Sequence, residues 1–217
     1  MYIPEEVKTR VAQMLGLEPE DLFDRLYRVT AQDLTTRLDF PNPFGRLIEV
    51  LDWNPDPTIT CGGIHLVWGH PLLVFAFATR GDRPRFFAVP EQKIEGPVLS
   101  SLMNGIVRAR AYTLFSEHEL SLDAPEFDER LLRKIAKNSP NIHIRQAAAR
   151  LLVDKVVLAE TRRMDGANWF VRRLYALRKW IMRILVRVPG PHFPRTSPMG
   201  VPFPDWLQKV LDEKRKV

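Results

Sequence analysis

The sequence has a single cysteine, no apolar run long enough to cross a bilayer, and no secretory signal at its start. Because Cys61 has no second cysteine to pair with, an intrachain disulfide is excluded and a reducing compartment fits. The opening residues MYIPEEVKTRV lack the basic and apolar regions of a signal peptide. We therefore expect a cytoplasmic protein, or one within a virion or another large assembly, that is not secreted and has no transmembrane segment.

Acidic residues are missing from one stretch near the C-terminus. Residues 168–188 read NWFVRRLYALRKWIMRILVRV and carry six cations. Residues 160–217 contain 13 Lys and Arg against five acids, whereas residues 1–159 contain 19 against 21. A positive charge concentrated in this way attracts anionic partners, whereas evenly spread charge mainly keeps a protein soluble.

As a helix from Trp169 to Val188, this stretch has one basic arc and an aliphatic opposite side. The arc contains Arg172, Arg173, Lys179, Arg183 and Arg187, together with Trp169 and Trp180. The pattern predicts an anion-binding face for nucleic acid or lipid head groups, or a face that docks a protein. The alternative is a solvated surface whose arginines pair with acids elsewhere in the chain.

Length and composition are those of a globular protein with one sizeable core. The chain has 217 residues, of which 45% are hydrophobic and 10% aromatic. Eighteen prolines and an excess of Arg over Lys resemble the composition of proteins from thermophiles.

The first 53 residues are predicted to be helical. Pro4 and Gly16 bound a first helix, Pro19 opens a second that includes Phe23 and Tyr27, and Asn42 caps a third. The third helix would bury Leu47, Val50 and Leu51.

Residues 58–91 are predicted to be rich in strands. Ile64–Trp68, Leu72–Thr79 and Arg85–Val89 are apolar or β-prone runs bounded by turn residues. The turn at residues 81–84 predicts a hairpin between the last two, with the apolar run 72–79 as the middle strand of a small antiparallel sheet.

Residues 97–188 are predicted to be helical again, with one helix over about 97–115 and a break at 138–141. Within residues 128–155, the sequence LLRKIAKNSPNIHIRQAAARLLVDK resembles one unit of a HEAT-type helical repeat. The resemblance implies a scaffold or binding surface rather than catalysis. The alternative is an ordinary helical hairpin, because solenoids need several repeats and this pattern occurs once.

Six prolines between Val188 and Asp205 exclude a helix or an internal strand there. This arm, residues 189–217, would end in a short helix from Asp205. Trp206, Leu207, Val210 and Leu211 lie on one side of that helix. They are predicted either to dock a partner or to cap the protein's own core.

One group of residues resembles a catalytic or metal site. In an extended strand Cys61 and His65 would share a face, with His70 nearby, so a Cys/His nucleophile or three metal ligands are conceivable. The chain has no CxxC pair and no HExxH motif, and single cysteines are often core residues. We assign no catalytic residue, metal or cofactor on this basis.

Taken together, these patterns predict a single α+β domain over residues 1–188, with the arm at 189–217. The predicted function is that of a non-enzymatic assembly component, which contacts a protein partner or further copies of itself through the basic helix and the arm. One alternative is a nucleic-acid-binding protein that does not read sequence, and another is a Cys/His-dependent enzyme. Peripheral membrane contact is a further function that the basic helix is predicted to allow.

Overall fold

The computed structural model describes residues 1–36, 40–76, 84–100, 104–165 and 205–207. The predicted basic helix Trp169–Val188, with all of its arginines, Lys179 and both tryptophans, lies outside these residues. The proline-rich part of the arm up to residue 204 and the predicted docking residues Val210 and Leu211 also lie outside them.

The described residues form an α+β fold, as predicted. The helices are α1 (Glu5–Leu15), α2 (Glu129–Asn138) and α3 (Ile142–Asp165). The strands are β1 (Phe23–Thr30), β2 (Leu47–Glu49), β3 (Ile64–Gly69), β4 (Arg85–Val89), β5 (Ile94–Glu95), β6 (Val98–Leu99), β7 (Ile106–Ala109) and β8 (Ala111–Thr113). Within this described part, no helix is both long and apolar enough to span a membrane.

The strands form two antiparallel sheets. The larger has the order β4-β1-β3-β7-β6, and the smaller has the order β2-β8-β5. The chain passes from one sheet to the other at Arg110, between β7 and β8. Both sheets contribute to one hydrophobic core.

The smaller sheet and the α2 region cover opposite faces of the larger sheet. Arg28 on β1 lies over the ring of Tyr112 on β8, with 5.7 Å from its guanidinium carbon to the ring centroid. Tyr27, the preceding residue of β1, instead contacts Glu126 just before α2. Since neighbouring residues of a strand point to opposite faces, the larger sheet is covered on both sides in this part of the fold.

The predictions for α1 and for the α2–α3 break are confirmed. Gly16 ends α1 with φ 69°, and an added Cβ there would lie 2.4 Å from the main-chain carbon of Asn138. Ser139, in the turn between α2 and α3, donates its hydroxyl to the Met14 carbonyl at 2.7 Å. The end of α1 is thus fastened to that turn.

Two helices predicted in the first 53 residues are wrong. Pro19 opens a single 3-10 turn, Pro19–Asp21. The chain then continues into β1, which lies between β3 and β4 in the larger sheet. Asn42 does not cap a helix, because no helix follows it: the chain turns and enters β2 at Leu47–Glu49. Its side chain is buried. Leu51, predicted to face the core, is fully exposed.

The predicted strand Leu72–Thr79 is also wrong. Pro71–Ala76 form a 3-10 helix, and residues 77–79 lie outside the described part. The strands predicted at 64–68 and 85–89 are confirmed as β3 and β4, but β4 pairs with β1, and residues 72–76 form no strand for it to pair with. The core of the sheet is therefore formed by strands that are distant in sequence.

The predicted helix over 97–115 is wrong as well, because β6, β7 and β8 occupy this region. β7 and β8 contain Ile106, Val107, Tyr112 and Thr113, which are β-branched or aromatic and favour strands. Pairing with β3 and β2 then fixes them as strands.

Candidate docking site on the helical pair

The geometry assumed for a Cys61–His65 site is not found. Gly62 and Gly63 have φ angles of 79° and 73°, so the chain turns there and β3 begins only at Ile64. The period-two argument that placed Cys61 and His65 on one face therefore does not hold. Cys61 is exposed, which also corrects the expectation that it is a core residue.

His70 is committed to a structural role. It is fully buried, its Nδ1 accepts a hydrogen bond from the Leu72 N–H at 3.1 Å, and its Nε2 lies 2.9 Å from the Glu126 carbonyl. Because a carbonyl only accepts, Nε2 carries the proton. Burial lowers the pKa of His70 to about 4, so the ring is neutral at pH 7.

His65 differs from this buried ring, because it is the only exposed residue of β3. Loss of hydration, and then the nearby Arg28 guanidinium, lower the pKa of its imidazole. Among the residues that the structure describes, no three His, Cys, Asp or Glu side chains are grouped to hold a metal ion.

The sequence patterns missed a buried arginine that organises the loop before β3. Arg108 on β7 donates hydrogen bonds to the carbonyls of Asn54 at 3.0 Å, Asp56 at 2.5 Å and Cys61 at 3.3 Å. Its guanidinium also lies 5.7 Å from the centre of the Trp53 ring. The signal that could have identified Arg108 is a single cation within the otherwise apolar sequence of β7.

A second buried arginine links the two sheets. Arg28 donates its Nε to Asn42 Oδ1 at 3.1 Å and one terminal nitrogen to the His65 carbonyl at 2.5 Å. The Tyr112 hydroxyl donates to the same Asn42 oxygen. Asn42 in turn donates its amide to the carbonyls of Leu34 and Phe40, both at 2.9 Å. Arg28 and Asn42 therefore hold the β1–β2 connection against the core.

The neighbouring acids at 126 and 128 have different roles at the start of α2. Asp128 is the N-cap of α2 and accepts from the N–H groups of Arg130 and Leu131. Glu126 is fully buried before the helix, where one carboxylate oxygen accepts from Tyr27 at 2.9 Å and from Arg25 at 3.3 Å. Its other oxygen has no hydrogen-bond partner within the described part of the chain.

Two of the four predicted docking residues are described, and both contact the helical pair formed by α2 and α3. Leu207 is 4% exposed and belongs to the hydrophobic core, and Trp206 packs against it half-buried. The Lys137 ammonium of α2 lies 4.9 Å from the centre of the Trp206 ring. The turn formed by residues 205–207 is thus attached to the protein's own body.

A cavity of about 250 Å³ lies beside this attachment. Its apolar wall consists of Leu152, Val156, Leu158 and Ala159 of α3, together with Trp206 and Leu207. Charged residues surround it. Glu129 pairs with Arg133, Asp123 pairs with Arg162 at 2.9 Å, and Lys155 donates to the carbonyls of Leu122 and Phe127 at 2.7 and 2.8 Å.

Comparisons of the chain with protein-family models, curated proteins and solved structures find no match. Function must therefore be argued from the residues themselves. The described structure has a partly apolar cavity beside the helical pair, with Leu207 in its wall. The resemblance of residues 128–155 to a HEAT-type unit stays a prediction, although these residues do form a helix, a turn and a second helix.

Proposed function

We propose that this protein is a non-enzymatic binding component of a larger complex, and that it holds its partner through residues 166–204. This cationic segment contains seven arginine and lysine residues and no acid. A segment of this composition attracts an anionic surface over about a Debye length, roughly 8–10 Å at physiological salt.

The observation that carries the proposal is the burial of Leu207. The cationic segment starts where α3 ends, at Asp165, and finishes where Asp205–Leu207 form a helical turn. Leu207 is 4% exposed, and burying a leucine side chain stabilises by roughly 1.5–3 kcal/mol. The segment is thus tethered to the folded body at both ends, which supports its role as a surface presented to a partner rather than a free tail.

The partner is an acidic surface of another protein, or of a second copy of this chain. Residues 1–159 carry 21 acids against 19 cations, so the body of the molecule is close to neutral. The charge that would attract a partner is concentrated in the last quarter of the chain, where it can determine the orientation of binding.

A second candidate is nucleic-acid binding without sequence readout. Trp169 and Trp180 lie among the cations, and aromatic rings between cations are typical of proteins that stack bases while contacting phosphates. Lipid head groups are the remaining anionic class, and acidic vesicles test for them.

The test is to replace four cations of the segment by glutamine and to compare this variant with a matched control. The test variant changes Arg172, Lys179, Arg183 and Arg187. The control removes the same charge from exposed sites on the body, namely Arg10, Arg46, Lys93 and Arg130. Each protein is checked for folding by circular dichroism, then used in pull-downs from the native source and in titrations with DNA, RNA and acidic vesicles.

We expect the test variant to lose a co-purifying protein that the control retains. If DNA binding is the function instead, five phosphate contacts give a log–log salt slope of about −4.5, and affinity falls roughly 500-fold between 50 and 200 mM salt. If all three proteins behave alike toward every partner, the cationic segment is a solvated surface and the proposal is wrong.

A further inference from the structure

We infer that Asn104 is a site of spontaneous deamidation, and that Arg10 promotes the loss of its side-chain amide in the folded protein. Asn104 and Gly105 form a bend before β7, and they are the only Asn-Gly pair in the sequence. The inference goes beyond the proposed function, because it concerns a covalent modification of the folded body that consumes only water and needs no partner.

An Asn-Gly pair can react with its own main chain. The glycine nitrogen bonds to the side-chain carbonyl carbon of the asparagine and loses its proton, and the side-chain amide leaves as ammonia. Water then opens the cyclic imide at one of its two carbonyl carbons, which gives aspartate or isoaspartate. Glycine favours this attack, because no Cβ crowds its nitrogen and its backbone adopts conformations closed to other residues.

The fold requires a glycine at position 105. Its φ is 74°, and an added Cβ would lie 2.8 Å from Cγ2 of Val11 and 3.2 Å from the carbonyl oxygen of Trp68. Its own carbonyl accepts a hydrogen bond from the Trp68 N–H at 2.7 Å. Packing of the bend against α1 and β3 therefore retains the residue type that makes Asn104 reactive. The same packing restrains the glycine and opposes the attack, so the rate depends on how strongly the attacked carbonyl is activated.

Arg10 of α1 supplies that activation. Its Nε donates a hydrogen bond of 3.0 Å to Oδ1 of Asn104. Negative charge develops on this oxygen as the nitrogen attacks, so a cationic donor already in place stabilises the transition state more than the starting amide. Asn104 is half-buried, so water can reach the imide. Once aspartate has formed, its carboxylate has Arg10 as a counter-ion, and a hydrogen bond to a neutral amide becomes an ion pair.

Asn138 provides a comparison within the same molecule. It is exposed and is followed by Ser139, a small residue. The Ser139 N–H, however, donates to the Ile135 carbonyl at 3.0 Å at the end of α2. A nitrogen held in this way cannot turn toward the side chain of Asn138 without breaking that bond. We therefore expect Asn138 to resist deamidation in the folded protein although it is more exposed than Asn104.

The test is to incubate the full-length wild type, Arg10→Gln and Arg130→Gln in oxygen-labelled water at neutral pH, and to follow each asparagine by peptide mass spectrometry. Arg130→Gln is the matched control, because it removes an exposed arginine from α2 rather than from the Asn104 contact. Circular dichroism verifies that each protein is folded. A parallel series in concentrated urea separates the effect of the fold from that of the local sequence, since Arg10 and Asn104 lie 94 positions apart.

We expect folded wild type and Arg130→Gln to incorporate the label at Asn104 at the same rate, and Arg10→Gln to do so about tenfold more slowly. The effect should be smaller than the roughly 10²–10³ lost when an enclosed active site loses one such donor, because Arg10 is exposed. In urea all three proteins should react alike. Folded wild type that leaves Asn104 intact, equal rates in folded wild type and Arg10→Gln, or a slower rate that persists in urea would each overturn the inference.

Discussion

The Tyr27 hydroxyl donates a hydrogen bond of 2.9 Å to the Glu126 carboxylate inside the core, between two residues that lie 99 positions apart in sequence. Tyr27 belongs to β1, an inner strand of the larger sheet between β4 and β3, and Glu126 precedes α2. Glu126 also holds the His70 ring through its carbonyl. These three residues therefore join the larger sheet to the segment that leads into the helical pair.

Removing the Tyr27 hydroxyl should destabilise the protein. We expect Tyr27→Phe to lower the free energy of unfolding by about 1.5–3 kcal/mol, because a buried carboxylate loses a hydrogen-bond donor. Urea denaturation of the wild type and variant measures the change. The matched control is Tyr2→Phe, since Tyr2 is 85% exposed and its hydroxyl can be solvated. An equal effect of both substitutions would contradict the role of Tyr27.

His70 should make the protein sensitive to acid. Its pKa is about 4 in the folded state and about 6.5 when unfolded, so the unfolded chain binds the extra proton first as the pH falls. The stability due to the neutral buried ring is therefore present above pH 6.5 and decreases below it, with about 3 kcal/mol lost by pH 4.

The measurement is urea denaturation of the wild type, His70→Gln and His143→Gln between pH 7 and 4. Glutamine at position 70 retains an N–H donor for the Glu126 carbonyl but does not titrate, so we expect a smaller loss of stability on acidification. His143 is exposed, and its replacement should leave the wild-type pH dependence unchanged. A His70→Gln profile parallel to that of the wild type would rule out His70 as the source.

Arg108 should contribute far more to stability than its neighbour Arg110. Lysine at position 108 cannot reproduce the three hydrogen bonds to the loop carbonyls, so we expect Arg108→Lys to cost about 2–4 kcal/mol. Arg110 forms an exposed ion pair with Glu49, and Arg110→Lys should leave stability almost unchanged. Thermal and urea unfolding of the two variants give the comparison, and similar costs would contradict it.

Cys61 should be reactive in the folded protein because it is exposed, and this accessibility alone does not indicate catalysis. We expect a thiol reagent to label it without denaturant, and Cys61→Ser to change stability by less than about 0.5 kcal/mol. A thiol count by absorbance, with and without denaturant, checks accessibility. Labelling that requires denaturant would show that the residue is buried.

The helical parts of the fold were largely predictable because their signals are local. Gly16 ends α1 and Asp128 caps α2, and each acts through hydrogen bonds to residues within a few positions. The strands β1, β7 and β8 were missed because their conformation depends on partners distant in sequence. Tyr27, for example, pairs with Val67 on one side and with Ala88 on the other.

Whether the candidate sites could be predicted from the sequence also depended on whether their contacts are local or distant. The Cys61–His65 hypothesis assumed an extended chain, and the left-handed Gly62 and Gly63 make that assumption wrong. Arg28 and Arg108 were overlooked because their hydrogen-bond partners come from loops whose positions only the fold defines. The helical spacing predicted that Leu207 is buried, either against a partner or against the protein's own core, and the structure shows it in the core. The surface that it contacts on the helical pair could not be predicted from the sequence.

Leu207 should contribute to the stability of the folded body even though 41 residues separate it from the end of α3. Its side chain is 4% exposed, so we expect Leu207→Ala to lower the free energy of unfolding by about 2–4 kcal/mol, through lost burial and the cavity left behind. Leu51→Ala removes the same atoms from a fully exposed position and should cost less than about 0.5 kcal/mol. Urea denaturation monitored by circular dichroism compares the two variants. If Leu207→Ala lowers the free energy of unfolding as little as Leu51→Ala does, residues 205–207 are not part of the core. The cationic segment would then be attached to the folded body only at the end of α3.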